Sequence, residues 1–293
     1  MKTILQLILN GIASGSLYSL FALGIVMIYK ATNVANFAQG EMMTIAGYMT
    51  LLFLYLIQGL GIIAFLLGIL CTCAVGLIIE RIAYRPLIKA PIISIVIATL
   101  GVSIALRGGI RMIWGPHIRP IPPISLFGST LIKFFGIIIT PHNLFVILFT
   151  SALMFSLLCF FRYSKIGKAM RAVAQDQEAS SLMGLSVKKY FTLTWTISAG
   201  LGAVAGILIA SLIYLEPDMG VVLLIKAFTA AILGGFISLP GTVVGGLILG
   251  IIETLVGYYI STKLVSVTAF IVLILVLFFK PEGIFGTHGI KKV

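Results

Sequence analysis

Long apolar runs separated by short polar segments make up most of this chain. A helix that crosses the hydrocarbon core of a membrane needs about 20 apolar residues, and nine runs approach or exceed that length. The runs are Ile4–Tyr29, Phe37–Ile57, Leu60–Ile79, Ile92–Trp114, Leu144–Phe161, Phe191–Tyr214, Val222–Ile237, Thr242–Ile260 and Leu264–Phe279. The pattern predicts an all-α, polytopic integral membrane helix bundle of about 8–10 transmembrane helices, some of them interrupted, in one domain of residues 1–293.

The longest hydrophilic stretch, Arg162–Tyr190, lies between two of these runs and carries six basic and two acidic residues. Basic loops beside membrane spans stay on the cytoplasmic side, so this stretch is predicted to be cytoplasmic. The same rule places Glu80–Pro91 and the tail after Phe279 in the cytoplasm and the acidic Leu215–Gly220 outside. Alternating spans then give an external N-terminus and a cytoplasmic C-terminus.

Helix signals occur inside the hydrophilic stretch. Ser164 is a suitable N-cap for one short helix, and Asp176 is suitable for a second one that Gly184 would end. The first helix would carry an apolar stripe made of Ile166, Ala169, Met170 and Val173. Two interpretations remain open for this loop: a docking element for a partner protein, or a solvated basic loop.

The segment Gly115–His142 is predicted to be external and contains five prolines, so it cannot form one continuous helix. It would be either a surface for an external partner or a lid over helix ends.

Arg107 and Arg111, near the outer end of their span, are predicted to extend toward the outer surface.

Composition supports the membrane assignment and narrows the function. The chain is 60% hydrophobic and 10% charged with a mean hydropathy of +1.19, whereas soluble domains have about 25% charged residues. The net charge of +12 lies in the loops and is explained by topology and anionic lipids, without a nucleic-acid partner. No P-loop, nucleophile elbow or metal-ligand cluster occurs, so we predict no catalytic residue, metal site or cofactor in this chain.

Two interruptions, the polar stretch Asn33–Glu41 and the glycine-rich stretch Leu233–Gly246 around Pro240, mark a candidate path through the membrane. Interrupted helices at membrane depth are tolerated only against protein or a water-filled cavity, and acids inside spans are functional candidates. The candidate path residues are Asn33, Asn36, Gln39, Glu41, Gly235, Pro240 and Glu253. A structural role remains open for the two acids, Glu41 and Glu253. Separately, glycines four residues apart, such as Gly11 and Gly15 or Gly246 and Gly250, predict close helix packing.

Several stretches resemble one family. Glu178-Ala179-Ser180 followed by Gly184 is similar to the coupling loop of ABC-importer permeases, and Gly167–Val173 is similar to the same region of branched-chain amino-acid permeases. Asn33–Glu41 is similar to a stretch near the first helices of those permeases. The first-span stretch Gly11–Tyr18, Gly234–Gly250 and the tail Lys280–Gly286 extend the resemblance over most of the chain to LivH-type permeases of branched-chain amino-acid ABC importers.

The resemblance implies a permease that imports Leu, Ile or Val by alternating access in the cytoplasmic (inner) membrane of a prokaryote. It implies as partners two ATP-binding subunits that hold the ATP and Mg, a second related permease, and a periplasmic or lipid-anchored substrate-binding protein. The implied ATPase-coupling residues are Ile166, Met170, Arg171, Val173, Glu178, Ala179 and Gly184. Urea, amides or other amino acids remain alternative substrates, and a self-sufficient secondary carrier or channel or a purely structural membrane subunit remain alternative functions.

Overall fold

The computed structural model describes residues 2–57, 59–87, 90–122, 132–134 and 137–286. Its α-helices are α1 Lys2–Thr32, α2 Gln39–Leu56, α3 Gly61–Ile79, α4 Ile92–Trp114, α5 Pro141–Tyr163, α6 Lys165–Gln175, α7 Gln177–Leu182, α8 Val187–Leu212, α9 Met219–Gly234, α10 Leu239–Tyr259 and α11 Val265–Phe279. Short elements are a π-helix, Glu80–Tyr84, two 3₁₀ turns, Arg85–Leu87 and Thr262–Leu264, and an antiparallel hairpin of β1 Ile132–Phe134 and β2 Ile137–Ile139. Much of the predicted external segment, residues 123–131 and 135–136, lies outside the described residues, as do residues 287–293 of the tail.

All nine predicted runs lie on α-helices, which confirms the all-α membrane bundle. Within the described residues, seven helical segments have by themselves the length and apolarity to cross a membrane. The other two of the nine are α2, which carries Gln39 and Glu41 in its first turn, and α9, which has only 16 residues. Both helices adjoin an interruption, so one begins with polar residues and the other is short.

Large apolar side chains are exposed on several of these helices. On α4, Ile93, Ile97 and Ile104 are 72%, 63% and 69% exposed, and on α11 Ile274 and Phe278 are 65% and 80% exposed. A soluble monomer rarely exposes apolar surface of this extent. These faces therefore fit contact with lipid.

The helices divide into two compact units. The first unit comprises Met1–Val26, Ser125–Met154 and Ile225–Val293. Within it α1 packs closely on α10 through glycine: a Cβ added to Gly11 would lie 2.7 Å from Ile251 Cα, and one added to Gly15 would lie 2.9 Å from Leu247 Cα. The predicted small-residue packing is confirmed, since a side chain at either position would separate these two helices.

The second unit comprises Met27–Ile124 and Phe155–Leu224. Helices α2, α3 and α8 pack against one another, and α6 and α7 pack on α8. Its buried cluster contains Ile28, Met42, Tyr84, Phe191, Trp195 and Ala199. The π-helix brings Tyr84 onto Trp195, with the two rings stacked at a centroid distance of 4.4 Å.

Candidate functional site

The first helix of the hydrophilic stretch, α6, begins where the sequence predicts. The Ser164 hydroxyl accepts a hydrogen bond from the Gly167 N–H at 2.8 Å, which confirms the N-cap. Met170 and Val173 are buried within the chain, whereas Ile166 is 48% exposed and Arg171 is exposed. The apolar stripe of α6 therefore packs mainly against its own chain.

The second short helix, α7, is capped at both ends by the predicted residues. Asp176 accepts from the Ala179 N–H at 2.9 Å. Gly184 adopts a left-handed φ of 81°, and the N–H groups of Gly184 and Leu185 bond the carbonyls of Ser181 and Ser180, each at 3.0 Å. These bonds satisfy the last carbonyls of α7 and require the conformation that glycine adopts without strain.

The outer surface of α7 is partly apolar. Glu178 and Ala179 are exposed, and Leu182 and Met183 are 88% and 83% exposed. Sequence reasoning missed Leu182 and Met183. Their signal was two adjacent large apolar residues just before the terminating glycine of a polar loop.

In the second unit, the predicted interruption between α1 and α2 is a break at residues 33–38. Asn33 is exposed and has a left-handed φ of 55°. Asn36 is fully buried: its Oδ1 accepts from the Ala38 N–H at 3.0 Å and the Tyr84 hydroxyl at 3.3 Å, and its Nδ2 donates to Gln39 Oε1 at 3.3 Å. Gln39 in turn donates to the Ser198 carbonyl at 2.9 Å. A network of side-chain amides thus holds this break.

Glu41, one turn into α2, is paired with a base. Arg107 donates from Nη2 at 2.7 Å and from Nε at 3.0 Å to Glu41 Oε1, and Ser103 donates to the same oxygen at 3.3 Å. Arg107 Nε also lies 4.0 Å from Asp218 Oδ1, and the Arg107 side chain is 29% exposed, so its extension toward the outer surface stays a prediction. Ser103 and Arg107 lie one turn apart on the α4 face that meets Glu41. Arg111, one further turn along, pairs with Asp218 at 2.5 Å.

In the first unit, the second predicted interruption lies between α9 and α10. Gly235 has a left-handed φ of 97°, and Ser238 begins α10 by accepting from the Gly241 N–H at 3.1 Å. Pro240 is exposed in the first turn of α10, where its missing N–H costs no helical bond. The C-terminal tail closes on this break: the Ile284 N–H donates to the Leu233 carbonyl at 2.8 Å.

Glu253 on α10 lies in a second buried ion pair within the first unit. Its Oε2 accepts from Lys226 Nζ at 3.0 Å and from the Tyr18 hydroxyl at 2.9 Å, and Lys226 also lies 5.1 Å from the centre of the Tyr18 ring. Sequence reasoning missed Lys226. Its signal was a single base inside the otherwise apolar run Val222–Ile237.

The seven candidate path residues are thus divided between the units. Asn33, Asn36, Gln39 and Glu41 belong to the second unit, and Gly235, Pro240 and Glu253 to the first. Both buried acids keep one oxygen, Glu41 Oε2 and Glu253 Oε1, without a hydrogen-bond partner among the described residues. Each unit therefore combines a helix break with a charge pair inside apolar helices, the arrangement expected where polar solutes or ions cross a membrane.

Comparison with known proteins gives a consistent result. Residues 7–277 match the family model described as "Branched-chain amino acid transport system / permease component". The Escherichia coli K12 protein LivH, a "high-affinity branched-chain amino acid transport system permease protein", is 36% identical over 99% of this chain and 97% of LivH. BraD of Pseudomonas aeruginosa, which carries the same description, is 35% identical over 99% of this chain and 98% of BraD. LivM of E. coli K12, again so described, is 26% identical over 64% of this chain and 49% of LivM.

Proposed function

Because this chain belongs to the permease family of branched-chain amino acid transport systems, we propose that it is the membrane subunit of an ATP-driven importer for leucine, isoleucine and valine. The observation that carries the proposal is the family match over nearly the whole chain, since it includes the interrupted helices and the short-helix loop together. The importer would lie in the cytoplasmic membrane of a prokaryote, with the C-terminus of this chain in the cytoplasm.

In this proposal, ATP and Mg bind to separate subunits that dock on the loop containing α6 and α7. The exposed residues of that loop include Glu178, Ala179, Leu182 and Met183 and, on α6, Ile166 and Arg171. An apolar contact centred on Leu182 and Met183, bordered by charge, has the composition of an interface core with a polar rim. Gly184 would hold α7 in position, and the buried Met170 and Val173 would support α6 from within.

A second related permease would complete the membrane part of the importer. LivH and LivM are both named as permease proteins of the high-affinity branched-chain amino acid transport system of E. coli, and this chain resembles both. A periplasmic or lipid-anchored binding protein would deliver the substrate to the external side. Closure of the ATP-binding subunits on ATP would then rock the bundle between its outward-facing and inward-facing forms.

Co-purification with the ATP-binding subunits in detergent tests the docking step. The double variant Leu182→Ser/Met183→Ser and the variant Glu178→Arg should lose those subunits while the permease itself still elutes as a folded particle. Removing a well-packed apolar anchor from an interface typically weakens binding by at least about tenfold. Tyr259→Ser is the matched control, because Tyr259 is also exposed, at 60%, but it is the last residue of α10 and lies outside the loop. Retention of the ATP-binding subunits by both loop variants would contradict the proposal.

A secondary carrier is the second candidate, and one observation favours it. Such a carrier would need charges paired inside the membrane, and the chain has Glu41 with Arg107 and Glu253 with Lys226. The purified chain without partners would then transport leucine, driven by an ion that moves down its own gradient. Family membership favours the ATP-driven importer, and transport by the isolated chain would reverse that order.

A further inference from the structure

Two irregular segments of the second unit, the break after α1 and the π-helix, meet around one small cavity. The cavity has a volume of about 30 Å³ and is lined by residues from the end of α1, the break after it, the π-helix, α4, α7 and α8. Among its lining residues are Thr32, Asn36, Tyr84, Thr99, Gln177 and Trp195. A cavity of this size holds a water molecule if polar groups surround it.

One polar group at this cavity lacks a protein partner. Trp195 is 2% exposed, and its indole Nε1 makes no hydrogen bond with any described residue. A buried N–H without an acceptor is costly, so an indole in this position normally bonds a buried water or other small acceptor. The amide of Asn36 and the hydroxyl of Tyr84 line the same cavity and can supply the further bonds that such a water needs.

Gln177 joins α7 to this cavity and to the end of α1. It is the first residue of α7, and its Nε2 donates to the carbonyl of Ala31 at 3.1 Å. Ala31 lies in the last turn of α1, where the carbonyls have no N–H partner within the helix. This bond therefore satisfies a helix-terminal carbonyl immediately before the break, and it comes from the helix proposed to contact the ATP-binding subunit.

The π-helix contributes Tyr84 to the lining of the same cavity. A π-helical turn is rare and frequently marks a functional site. Here it carries Tyr84, which stacks on Trp195 and donates to Asn36 inside the break. A displacement of α7 would thus reach the break by two routes: directly through Gln177 and Ala31, and through the cavity to Trp195, Tyr84 and Asn36.

We propose that Gln177 is a positioning residue which transmits the movement of α7 to the break between α1 and α2, and that the Trp195 indole with one bound water completes this junction. The inference rests on the proposed function, because it takes α7 as the element that an ATP-binding subunit moves. It adds to that function a specific route from the docking helix to a candidate path segment, residues 33–38.

The test measures leucine uptake and ATP hydrolysis in the same proteoliposomes containing the whole importer complex. In Gln177→Ala, and in the similarly sized Gln177→Glu, which cannot donate to the Ala31 carbonyl when ionised, hydrolysis should continue. Uptake per ATP hydrolysed should fall about five- to tenfold, as expected from losing one net hydrogen bond. Trp195→Phe, which keeps an aromatic ring against Tyr84 but removes the N–H, should lower the same ratio to a smaller extent.

Gln175→Ala is the matched control, because Gln175 is an exposed glutamine two residues earlier, at the end of α6. Its ratio of uptake to hydrolysis should equal that of the wild type. Loss of folded complex would lower uptake and hydrolysis together and leave the ratio unchanged, so the ratio separates positioning from general destabilisation. A wild-type ratio in Gln177→Ala or in Trp195→Phe would overturn the inference. Absence of ATP-dependent uptake in the wild type and in Gln175→Ala would instead overturn the proposed function.

Discussion

The break between α1 and α2 is held mainly by side chains, whereas the break between α9 and α10 is held mainly by backbone contacts, apart from the Ser238 cap of α10. In the first case Asn36 and Gln39 supply the bonds, and their partners are a hydroxyl, a backbone N–H, a backbone carbonyl and each other. In the second case Gly235 and Gly283 both have left-handed φ: a Cβ on Gly283 would collide with the Gly235 backbone, and a Cβ on Gly235 would lie 2.7 Å from the Gly286 nitrogen. The tail also bonds to this break through backbone groups.

This difference indicates which break can rearrange. Side-chain amides can exchange one partner for another as neighbouring helices shift, and the first break lies beside a cavity with room for water. Glycine contacts in a close-packed interior cannot stretch without losing their packing. We therefore expect the first break to move during transport and the second to act as a fixed pivot.

The two buried charge pairs differ in the same sense. Lys226 and Glu253 are 11% and 4% exposed in their side chains, so the pair in the first unit is almost dry. Arg107 is 29% exposed, and the neighbouring pair of Arg111 and Asp218 is about half exposed. The charges of the second unit thus have contact with the surroundings that those of the first unit lack.

The largest effect is expected from breaking the dry pair. Lys226→Ala should lower the stability of the detergent-solubilised protein by about 3–5 kcal/mol, because it leaves the Glu253 carboxylate buried without its counter-charge. The double variant Lys226→Met/Glu253→Gln should recover most of that loss, since it removes both charges. Thermal unfolding of the three proteins measures the difference, and equal melting temperatures for the single and double variants would contradict the account of this pair.

The next effect concerns the fixed break. Gly283→Ala should cost about 1–3 kcal/mol through overcrowding, because its Cβ would collide with the backbone of Gly235 and Ile232. Gly101→Ala is the control: a Cβ there meets nothing within 4 Å, and alanine favours a helix over glycine. Melting temperatures again provide the measurement. If Gly283→Ala melts with Gly101→Ala or above it, the second break is not fixed by close packing.

A stability effect of similar size, but a larger functional one, is expected at the first break. Asn36→Ala should cost about 1–3 kcal/mol, because it leaves the Ala38 N–H and Gln39 amide short of partners. Tyr84→Phe removes only one long bond to Asn36 and should cost less. In Asn36→Ala, leucine uptake per folded transporter should fall, in addition to the loss of melting temperature. Unchanged uptake per folded transporter, measured beside the melting temperature, would count against a moving first break.

Much of this architecture was predictable because its signals are local. The nine apolar runs, the caps at Ser164 and Asp176, the terminating Gly184 and both breaks each depend on residues within a few positions of one another. Hydrophobic length, capping hydroxyls or carboxylates, and glycine with its left-handed backbone act without reference to the rest of the fold.

What escaped prediction depends on contacts between distant residues. Lys226 pairs with Glu253 across two helices, and Arg107 reaches Glu41 over 66 positions, so neither pair has a local pattern. The burial of the α6 stripe likewise depends on what α6 packs against, and here Met170 and Val173 are buried within the chain. Leu182 and Met183, at the end of α7, pack against nothing comparable among the described residues and are exposed. The closure of the tail on Gly235 depends on the same kind of long-range contact.

The central claim is that this chain imports branched-chain amino acids only with the help of ATP-binding partners. The most direct measurement is uptake of radiolabelled leucine into proteoliposomes, comparing the complete importer supplied with ATP and binding protein against the purified chain alone under an imposed proton gradient. The account predicts uptake by the complete importer that stops when ATP is withheld, and none by the chain alone. Gradient-driven uptake by the chain alone would contradict it and make the secondary carrier the better description.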